Sequence, residues 1–65
     1  MTNEIHQIPE NKGLEYLAAK FAEERGEKEI ANQLYLNAGG FDAALKYAQR
    51  SGQKEKVIEL YMQIL

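Results

Sequence analysis

The chain has 65 residues, with eight basic and ten acidic side chains and no cysteine. This length limits it to a single domain, and without cysteine it has neither disulfides nor thiolate metal sites. A net charge of −2 is not the basic footprint of a nucleic-acid-binding protein. The composition predicts a small soluble domain whose stability depends on regular helix packing or on self-association.

Targeting signals and cofactor sites are not expected in this sequence. The first residues form no positive leader followed by an apolar run, so no signal peptide is predicted. The uninterrupted apolar stretches are at most three residues long, too short to span a membrane. His6 is the only histidine and cannot form a metal site alone. We expect a cytoplasmic protein with no cofactor, metal or small-molecule substrate.

In chain order, the first predicted element is a flexible tail over residues 1–9, which are mostly polar and end at Pro9. A first helix follows from about Glu10 or Asn11 to Arg25, because apolar residues recur there at helical spacing. Gly26 closes this helix, since glycine readily adopts the left-handed conformation of a helix C-terminus. The predicted inward stripe consists of Leu14, Leu17, Ala18, Phe21 and Ala22.

Three further short helices are predicted over about 27–37, 41–50 and from 53 to the end. Gly39-Gly40 separates the first two of them, and Ser51-Gly52 separates the last two. No segment alternates apolar and polar residues over the length of a strand, so no sheet is expected. The predicted inward residues are Ile30, Ala31, Leu34, Tyr35, Ala38, Phe41, Ala44, Leu45, Ala48, Val57, Leu60, Tyr61 and Ile64, with Tyr47 on a flank.

Glycines at positions 13, 26, 39 and 52 stand 13 residues apart, and a fixed short period is the mark of a repeat architecture. Residues 14–39 align with residues 40–65 without a gap. The identical pairs are Ala18/Ala44, Lys20/Lys46, Ala22/Ala48, Gly26/Gly52, Lys28/Lys54, Glu29/Glu55, Leu34/Leu60 and Tyr35/Tyr61. The sequence therefore predicts an all-α domain over residues 10–65, made of four short antiparallel helices. These form two helical hairpins, 14–39 and 40–65, with a 26-residue repeat.

The segment Gly39-Gly40-Phe41-Asp42-Ala43-Ala44, followed by Tyr47-Ala48, resembles the turn and helix of tetratricopeptide-like repeats. The longer run 33–52 resembles the short hairpins of the α-solenoids in clathrin heavy chain, coatomer and intraflagellar transport subunits. The resemblance covers about residues 13–65, although the unit is shorter than the standard repeat of about 34 residues and lacks its tryptophan and closing proline. It implies two hairpins stacked in a right-handed superhelix and a scaffold that binds a protein partner.

In solenoids of this type, the first helix of each hairpin lines the concave, ligand-binding side. Carried over by position, the resemblance implies a partner-binding face made of Tyr16, Lys20, Glu24, Lys46, Tyr47 and Arg50. Two lysines and one arginine can hold a carboxylate, either in an acidic peptide or at the C-terminus of a polypeptide. The alternative interpretation is that these charges belong to a solvated face and that the tyrosines are packing residues.

A stable solenoid usually needs at least about three repeats, and this sequence contains two. No polar capping helix follows the apolar residues of the last unit, so an open apolar end is predicted. We expect a homodimer in which the terminal helices cap each other. The candidate self-association residues are Leu36, Met62, Ile64 and Leu65.

The leading functional prediction is a non-catalytic adaptor or scaffold that binds a protein or peptide through its helical face. One alternative is a self-assembly module with no other ligand. Another is a small helix-turn-helix nucleic-acid binder, in which the fourth helix presents Gln53, Lys54, Lys56 and Glu59. Nucleic acid is the less expected partner because the sequence is acidic overall.

An enzyme is not predicted, because no group of residues matches a catalytic pattern. The neighbouring glutamates lie at exposed helix ends, whereas paired catalytic carboxylates must converge on a dry pocket. His6 has no Ser, Cys or Asp at useful spacing for a nucleophilic triad. Gly39-Gly40 lacks the Gly-Lys-Ser/Thr ending of a phosphate-binding loop.

Overall fold

The computed structural model describes the backbone of residues 3–65 and the side chains of residues 13–65. Three α-helices follow one another, α1 (Asn3–Glu24), α2 (Lys28–Arg50) and α3 (Lys54–Ile64). No strand occurs among the described residues. The all-α prediction is confirmed.

The first helix begins at Asn3, several residues before the predicted start at Glu10 or Asn11. Met1 and Thr2, the first residues of the expected tail, lie outside the described residues, as do the side chains of residues 3–12. The flexibility expected for residues 1–9 therefore stays a prediction.

The structure has three helices where four were predicted, because the second and third predicted helices form one kinked helix, α2. Gly40, inside α2, has φ 75° and ψ −164°, a combination that is essentially restricted to glycine. Its neighbour Gly39 is also constrained, since a Cβ there would lie 2.6 Å from the Cβ of Ala43. Gly40 therefore leaves the helical conformation, and α2 consists of two helical segments that meet at a kink.

The two junctions between helices have the same geometry, 26 residues apart. Gly26 and Gly52 have φ values of 76° and 75°. The N–H of Gly26 donates to the Glu23 carbonyl and that of Glu27 to the Ala22 carbonyl; Gly52 and Gln53 repeat this pair of bonds to Gln49 and Ala48. Each junction is a glycine-closed helix end of the kind that the sequence predicts.

Two core clusters hold the helices together. The first lies between α1 and both halves of α2, and the second lies between the C-terminal half of α2 and α3. Alanines let the helix backbones approach closely, and tyrosine and leucine side chains fill the remaining space. The first cluster consists of Ala19, Ala22, Ala31, Tyr35, Ala43 and Tyr47 with Leu34 at its edge, and the second of Ala44, Ala48 and Leu60 with Leu36, Leu45 and Val57 at its edge.

A pair of amides ties α2 to the start of α3. Asn32 Nδ2 donates to Gln53 Oε1 at 2.9 Å, and Gln53 Nε2 donates to Asn32 Oδ1 at 3.3 Å and to Ser51 Oγ at 2.7 Å. The Ser51 hydroxyl in turn donates to the Tyr47 carbonyl at 2.7 Å. This series of bonds holds the second junction in one orientation.

The predicted inward stripe of the first helix is wrong in most of its members. Leu14, Leu17 and Phe21 are 63%, 64% and 63% exposed, and the buried residues of the described part of α1 are Ala19 and Ala22. The helix has apolar residues on two faces, and α2 packs on the face with the smaller side chains, where its tyrosine rings fit. Other predicted inward residues that are at least half exposed are Ile30, Tyr61 and Ile64.

Candidate functional site

A groove of about 490 Å³ lies between α1 and the C-terminal half of α2. The side chains that line it are Tyr16, Lys20, Glu23, Tyr35, Ala43, Lys46 and Arg50. Four of the six residues predicted to bind a partner are among them: Tyr16, Lys20, Lys46 and Arg50. The fold thus brings together side chains that are up to 34 positions apart in sequence (16 to 50).

Aromatic rings form the floor of the groove. The ring of Tyr35 meets that of Tyr16 edge-on, with centroids 5.6 Å apart, and lies 5.0 Å from that of Tyr47. Tyr35 and Tyr47 are buried, whereas Tyr16 is 42% exposed. The floor is therefore closed to solvent at Tyr35 and partly open to solvent at Tyr16.

Arg50 is held over this floor by a carboxylate. Its Nε donates to Glu23 Oε2 at 3.0 Å, and its Nη2 donates to Glu23 Oε1 at 3.0 Å and to the Tyr35 hydroxyl at 3.1 Å. The Tyr35 hydroxyl donates to Glu23 Oε1 at 2.6 Å. The guanidinium carbon lies 5.3 Å from the Tyr35 centroid and 5.4 Å from the Tyr47 centroid, within cation–π distance.

These contacts shift the pKa values of the groups involved. The hydrogen bond from Arg50, and then that from Tyr35, hold the pKa of Glu23 below its usual range. Burial, followed by the hydrogen bond to Glu23, raises the pKa of Tyr35 to about 12. The hydrogen bond to Glu23 raises the pKa of Arg50, and burial raises that of Tyr47. Glu23 and Arg50 therefore stay ionised at neutral pH, which does not suit either for proton transfer.

The two lysines stand at the rim of the groove. Lys46 Nζ lies 3.6 Å from Asp42 Oδ2, with both side chains well exposed, so this pair contributes little to stability. Lys20 is exposed and lies close enough to Glu23 to help lower the pKa of that carboxyl. Three cations (Lys20, Lys46 and Arg50) against one lining anion (Glu23) leave the groove with a net charge of +2.

Two predicted binding residues lie elsewhere, and three lining residues, Glu23, Tyr35 and Ala43, were not among those predicted. Tyr47 is buried beneath the groove, and Glu24 is exposed outside it. Glu23 was missed, although Tyr16, Lys20 and Glu23 stand at helical spacing (i, i+4, i+7) and so share one face of α1. That spacing was the available signal, because Glu24 is rotated about 100° away from Glu23 around the helix.

The predicted self-association residues divide between the surface and the core. Met62, Ile64 and Leu65 are exposed at the end of α3 and just beyond it. Leu36 is half-buried and packs against the second core cluster. The apolar surface at this end therefore consists of Tyr61, Met62, Ile64 and Leu65, without Leu36.

The helix-turn-helix surface carries a balanced charge. A hollow beside the second junction is lined by three bases, Lys28, Lys54 and Lys56, and three acids, Glu29, Glu55 and Glu59, together with Asn32, Gly52 and Gln53. Lys56 also pairs with Glu59 at 3.4 Å. The six charges around this hollow therefore sum to zero, and nucleic-acid binding by the fourth predicted helix stays a prediction.

Within the described residues, no cluster of His, Cys, Asp and Glu is placed to hold a metal ion. None of the helices in this part of the molecule is long and apolar enough to cross a membrane. Comparisons with protein-family models, with curated proteins and with solved structures found no match to this sequence.

Proposed function

We propose that this protein is a non-catalytic interaction module that binds an acidic peptide segment of a partner protein in the groove between α1 and α2. The observation that carries the proposal is the groove's net charge of +2 in a protein whose net charge is −2. A groove that opposes the charge of the rest of the molecule favours ligands of negative charge.

The groove offers an acidic peptide different contacts at its centre and at its rim. Glu23 already holds Arg50, so a ligand carboxylate would bind the rim cations Lys20 and Lys46, and at Lys46 it would displace the exposed ion pair with Asp42. The exposed edge of Tyr16 provides an apolar contact of the kind that tyrosine supplies at interfaces. Two carboxylates of one peptide would therefore be bound by the lysines, with an apolar side group between them.

This proposal agrees with the resemblance to tetratricopeptide-like scaffolds. We interpret the fold as two stacked hairpins, 14–39 and 40–65, joined at the kink of Gly40. In that interpretation Lys20 and Lys46 are equivalent residues of consecutive repeats and line the same side of the stack.

Charge reversal at Lys20 and Lys46 tests the proposal. The probe is a fluorescein-labelled glutamate-rich peptide, and anisotropy measures its dissociation constant. Lys20→Glu combined with Lys46→Glu is expected to weaken binding by about tenfold or more, because two charge-assisted contacts become repulsive. An otherwise identical peptide with an amidated C-terminus shows whether the glutamate carboxylates or a terminal carboxylate are bound.

The matched control is Lys54→Glu combined with Lys56→Glu, which changes the net charge equally but lies outside the groove. This control is expected to bind the peptide nearly as well as the unmodified protein. Equal weakening by both double variants would contradict the proposal, since it would mean that only the overall charge attracts the peptide.

A second candidate function is self-assembly, favoured by the exposed apolar side chains Tyr61, Met62, Ile64 and Leu65 at the end of α3. Clustered apolar exposure of this kind marks interaction surfaces. The two functions use different residues. The groove variant Lys20→Glu plus Lys46→Glu is therefore expected to weaken self-association less than replacement of the exposed apolar side chains of α3.

A further inference from the structure

The outer face of α1 carries large apolar side chains that none of the described residues covers. Leu14, Leu17 and Phe21 stand at i, i+3 and i+7, so they form one stripe on the helix surface. At the other end of the fold, Tyr61 of α3 is 50% exposed. Since α1 and α3 make no contact with each other within the described residues, these two faces lie at opposite ends of a row of helices.

The 26-residue repeat shows what covers the equivalent face in the interior. Leu17 and Phe21 are equivalent to Ala43 and Tyr47. Ala43 and Tyr47 are buried in the first core cluster, where they pack against Tyr35 and its neighbours in the preceding hairpin. The outer face of α1 is therefore equivalent, by the repeat, to the face of residues 41–50 on which the preceding hairpin packs inside the molecule.

The outer face of α3 is equivalent, by the repeat, to the face of residues 28–39 that supplies the other side of this contact. Val57 and Tyr61 are equivalent to Ala31 and Tyr35. Tyr35 is 2% exposed because the next hairpin covers it, whereas none of the described residues covers Tyr61, which is 50% exposed. Val57 is half-buried against the second core cluster. Packing within one copy therefore already holds this part of the α3 face in position.

We propose that a second copy of this protein docks head to tail, with the outer face of α3 of one copy on the outer face of α1 of the next. The junction would reproduce the contact between the two hairpins inside one molecule. The inference rests on the second candidate function, self-assembly, and names the two surfaces that meet.

The polar residues around the junction agree with this docking. Inside the molecule, Tyr35 lies between the acceptor Glu23 and the donor Arg50. The equivalent residues are Gln49 for Glu23, Tyr61 for Tyr35 and, in the second copy, Glu24 for Arg50. Donor and acceptor have exchanged sides, so the Gln49 amide donates and the Glu24 carboxylate of the next copy accepts, with the Tyr61 hydroxyl between them.

Side-chain sizes also agree with a junction between separate molecules. Gly39 and Ala43 approach closely inside the fold because Gly40 connects their helices directly. Their equivalents are Leu65 of one copy and Leu17 of the next. Without a connecting turn the two helices lie farther apart, and the larger leucines fill that separation.

Docking of this kind uses two different surfaces, so it does not close on itself as a two-fold dimer does. The charges favour it, because residues 1–39 carry four bases and seven acids, net −3, and residues 40–65 carry four bases and three acids, net +1. The expected behaviour is a mass that rises with concentration beyond that of two copies.

Two complementary variants test the docking mode by sedimentation velocity. The first, Leu17→Glu plus Phe21→Glu, blocks the α1 face, and the second, Tyr61→Glu plus Leu65→Glu, blocks the α3 face. Each is expected to be monomeric alone. An equimolar mixture is expected to double in mass to a heterodimer that cannot extend, because each variant contributes its one intact face. Lys28→Glu plus Gln33→Glu, two exposed positions outside both faces, is the control and is expected to associate like the unmodified protein.

Each other outcome overturns a defined part of the proposal. If one blocked variant still dimerises alone and mixing the two variants does not increase the mass, the protein associates by a symmetric contact, such as α3 against α3. That result would overturn the head-to-tail mode but not self-assembly. If the unmodified protein is monomeric at all concentrations, both are overturned. Circular dichroism checks folding, and Leu17→Ala plus Phe21→Ala, which introduces no charge, is expected to weaken association by at least about tenfold.

Discussion

At the scale of single residues, Glu23 has the largest role in organising the groove. Its two oxygens accept hydrogen bonds from Arg50 and Tyr35, which joins α1 to both halves of α2. The neutral residues around it provide the apolar surface, but this carboxylate determines where the guanidinium lies. Arg50 is thus fixed over the tyrosine rings by its pairing with Glu23, and under the proposed function the ligand is bound by the rim lysines.

The lowered pKa of Glu23 predicts a pH-dependent stability. A carboxyl whose pKa is depressed on folding stabilises the folded state above its unfolded pKa, which is ordinarily near 4.5, and this contribution is lost as the pH falls through the lower folded value. Because the pair is partly exposed, its contribution is roughly 1 kcal/mol. Thermal unfolding of the unmodified protein between neutral and acidic pH is the measurement.

Glu23→Gln is expected to lower the melting temperature at neutral pH and to flatten its decrease on acidification. The control is Glu24→Gln, the adjacent and exposed carboxyl outside the groove, measured at one low protein concentration. If both variants show the same pH dependence as the unmodified protein, the Glu23 network does not contribute to stability.

At the scale of helices, glycines have opposite roles at different positions. Gly40 holds a backbone conformation that other residues rarely adopt, and it lets the two halves of α2 change direction. Gly13 lies inside α1 with open space around it and no positive φ. The repeated spacing of glycines in the sequence therefore does not imply a repeated function.

Alanine substitution separates these roles. Gly40→Ala is expected to destabilise the fold by about 2 kcal/mol, because the side chain makes the observed φ and ψ unfavourable. Gly13→Ala is expected to stabilise it by about 0.5–1 kcal/mol, since alanine loses less entropy in a helix. Urea unfolding monitored by circular dichroism measures both, and equal effects of the two substitutions would contradict the kink at Gly40.

At the scale of the whole molecule, the described residues form a row of helices whose outer faces, on α1 and on α3, are exposed. A protein of this size buries only about 60% of the surface of its unfolded form, and its leucine, tyrosine and phenylalanine side chains remain exposed on the outer faces of α1 and α3. Under the proposed head-to-tail docking, stability and association are coupled, because each copy covers apolar surface on the next.

This coupling predicts that the melting temperature depends on protein concentration. Association that occurs only in the folded state stabilises it by mass action, so over a roughly hundredfold concentration range the melting temperature of the unmodified protein is expected to rise. Leu17→Glu plus Phe21→Glu is expected to melt at a temperature independent of concentration. A concentration-independent melting temperature for the unmodified protein would show that copies do not stabilise one another.

The sequence by itself determined the helical class, the 26-residue repeat and the glycine-closed junctions at Gly26 and Gly52. These features follow from local rules, since periodic apolar residues favour helices and glycine permits positive φ. Four members of the groove, Tyr16, Lys20, Lys46 and Arg50, were among the residues that the resemblance to tetratricopeptide-like repeats implied. The pattern did not distinguish Glu23 from Glu24 as the groove carboxyl, because this choice depends on which face of α1 meets α2.

Only the tertiary structure decided which apolar face of α1 is buried. The helix has a large-residue stripe at Leu14, Leu17 and Phe21 and a small-residue face at Ala19 and Ala22. The tyrosine rings of α2 need close backbone approach, which alanines allow and leucines prevent. The larger stripe stays exposed because side-chain sizes must be complementary across the α1–α2 contact. The sequence of one helix alone does not contain this information.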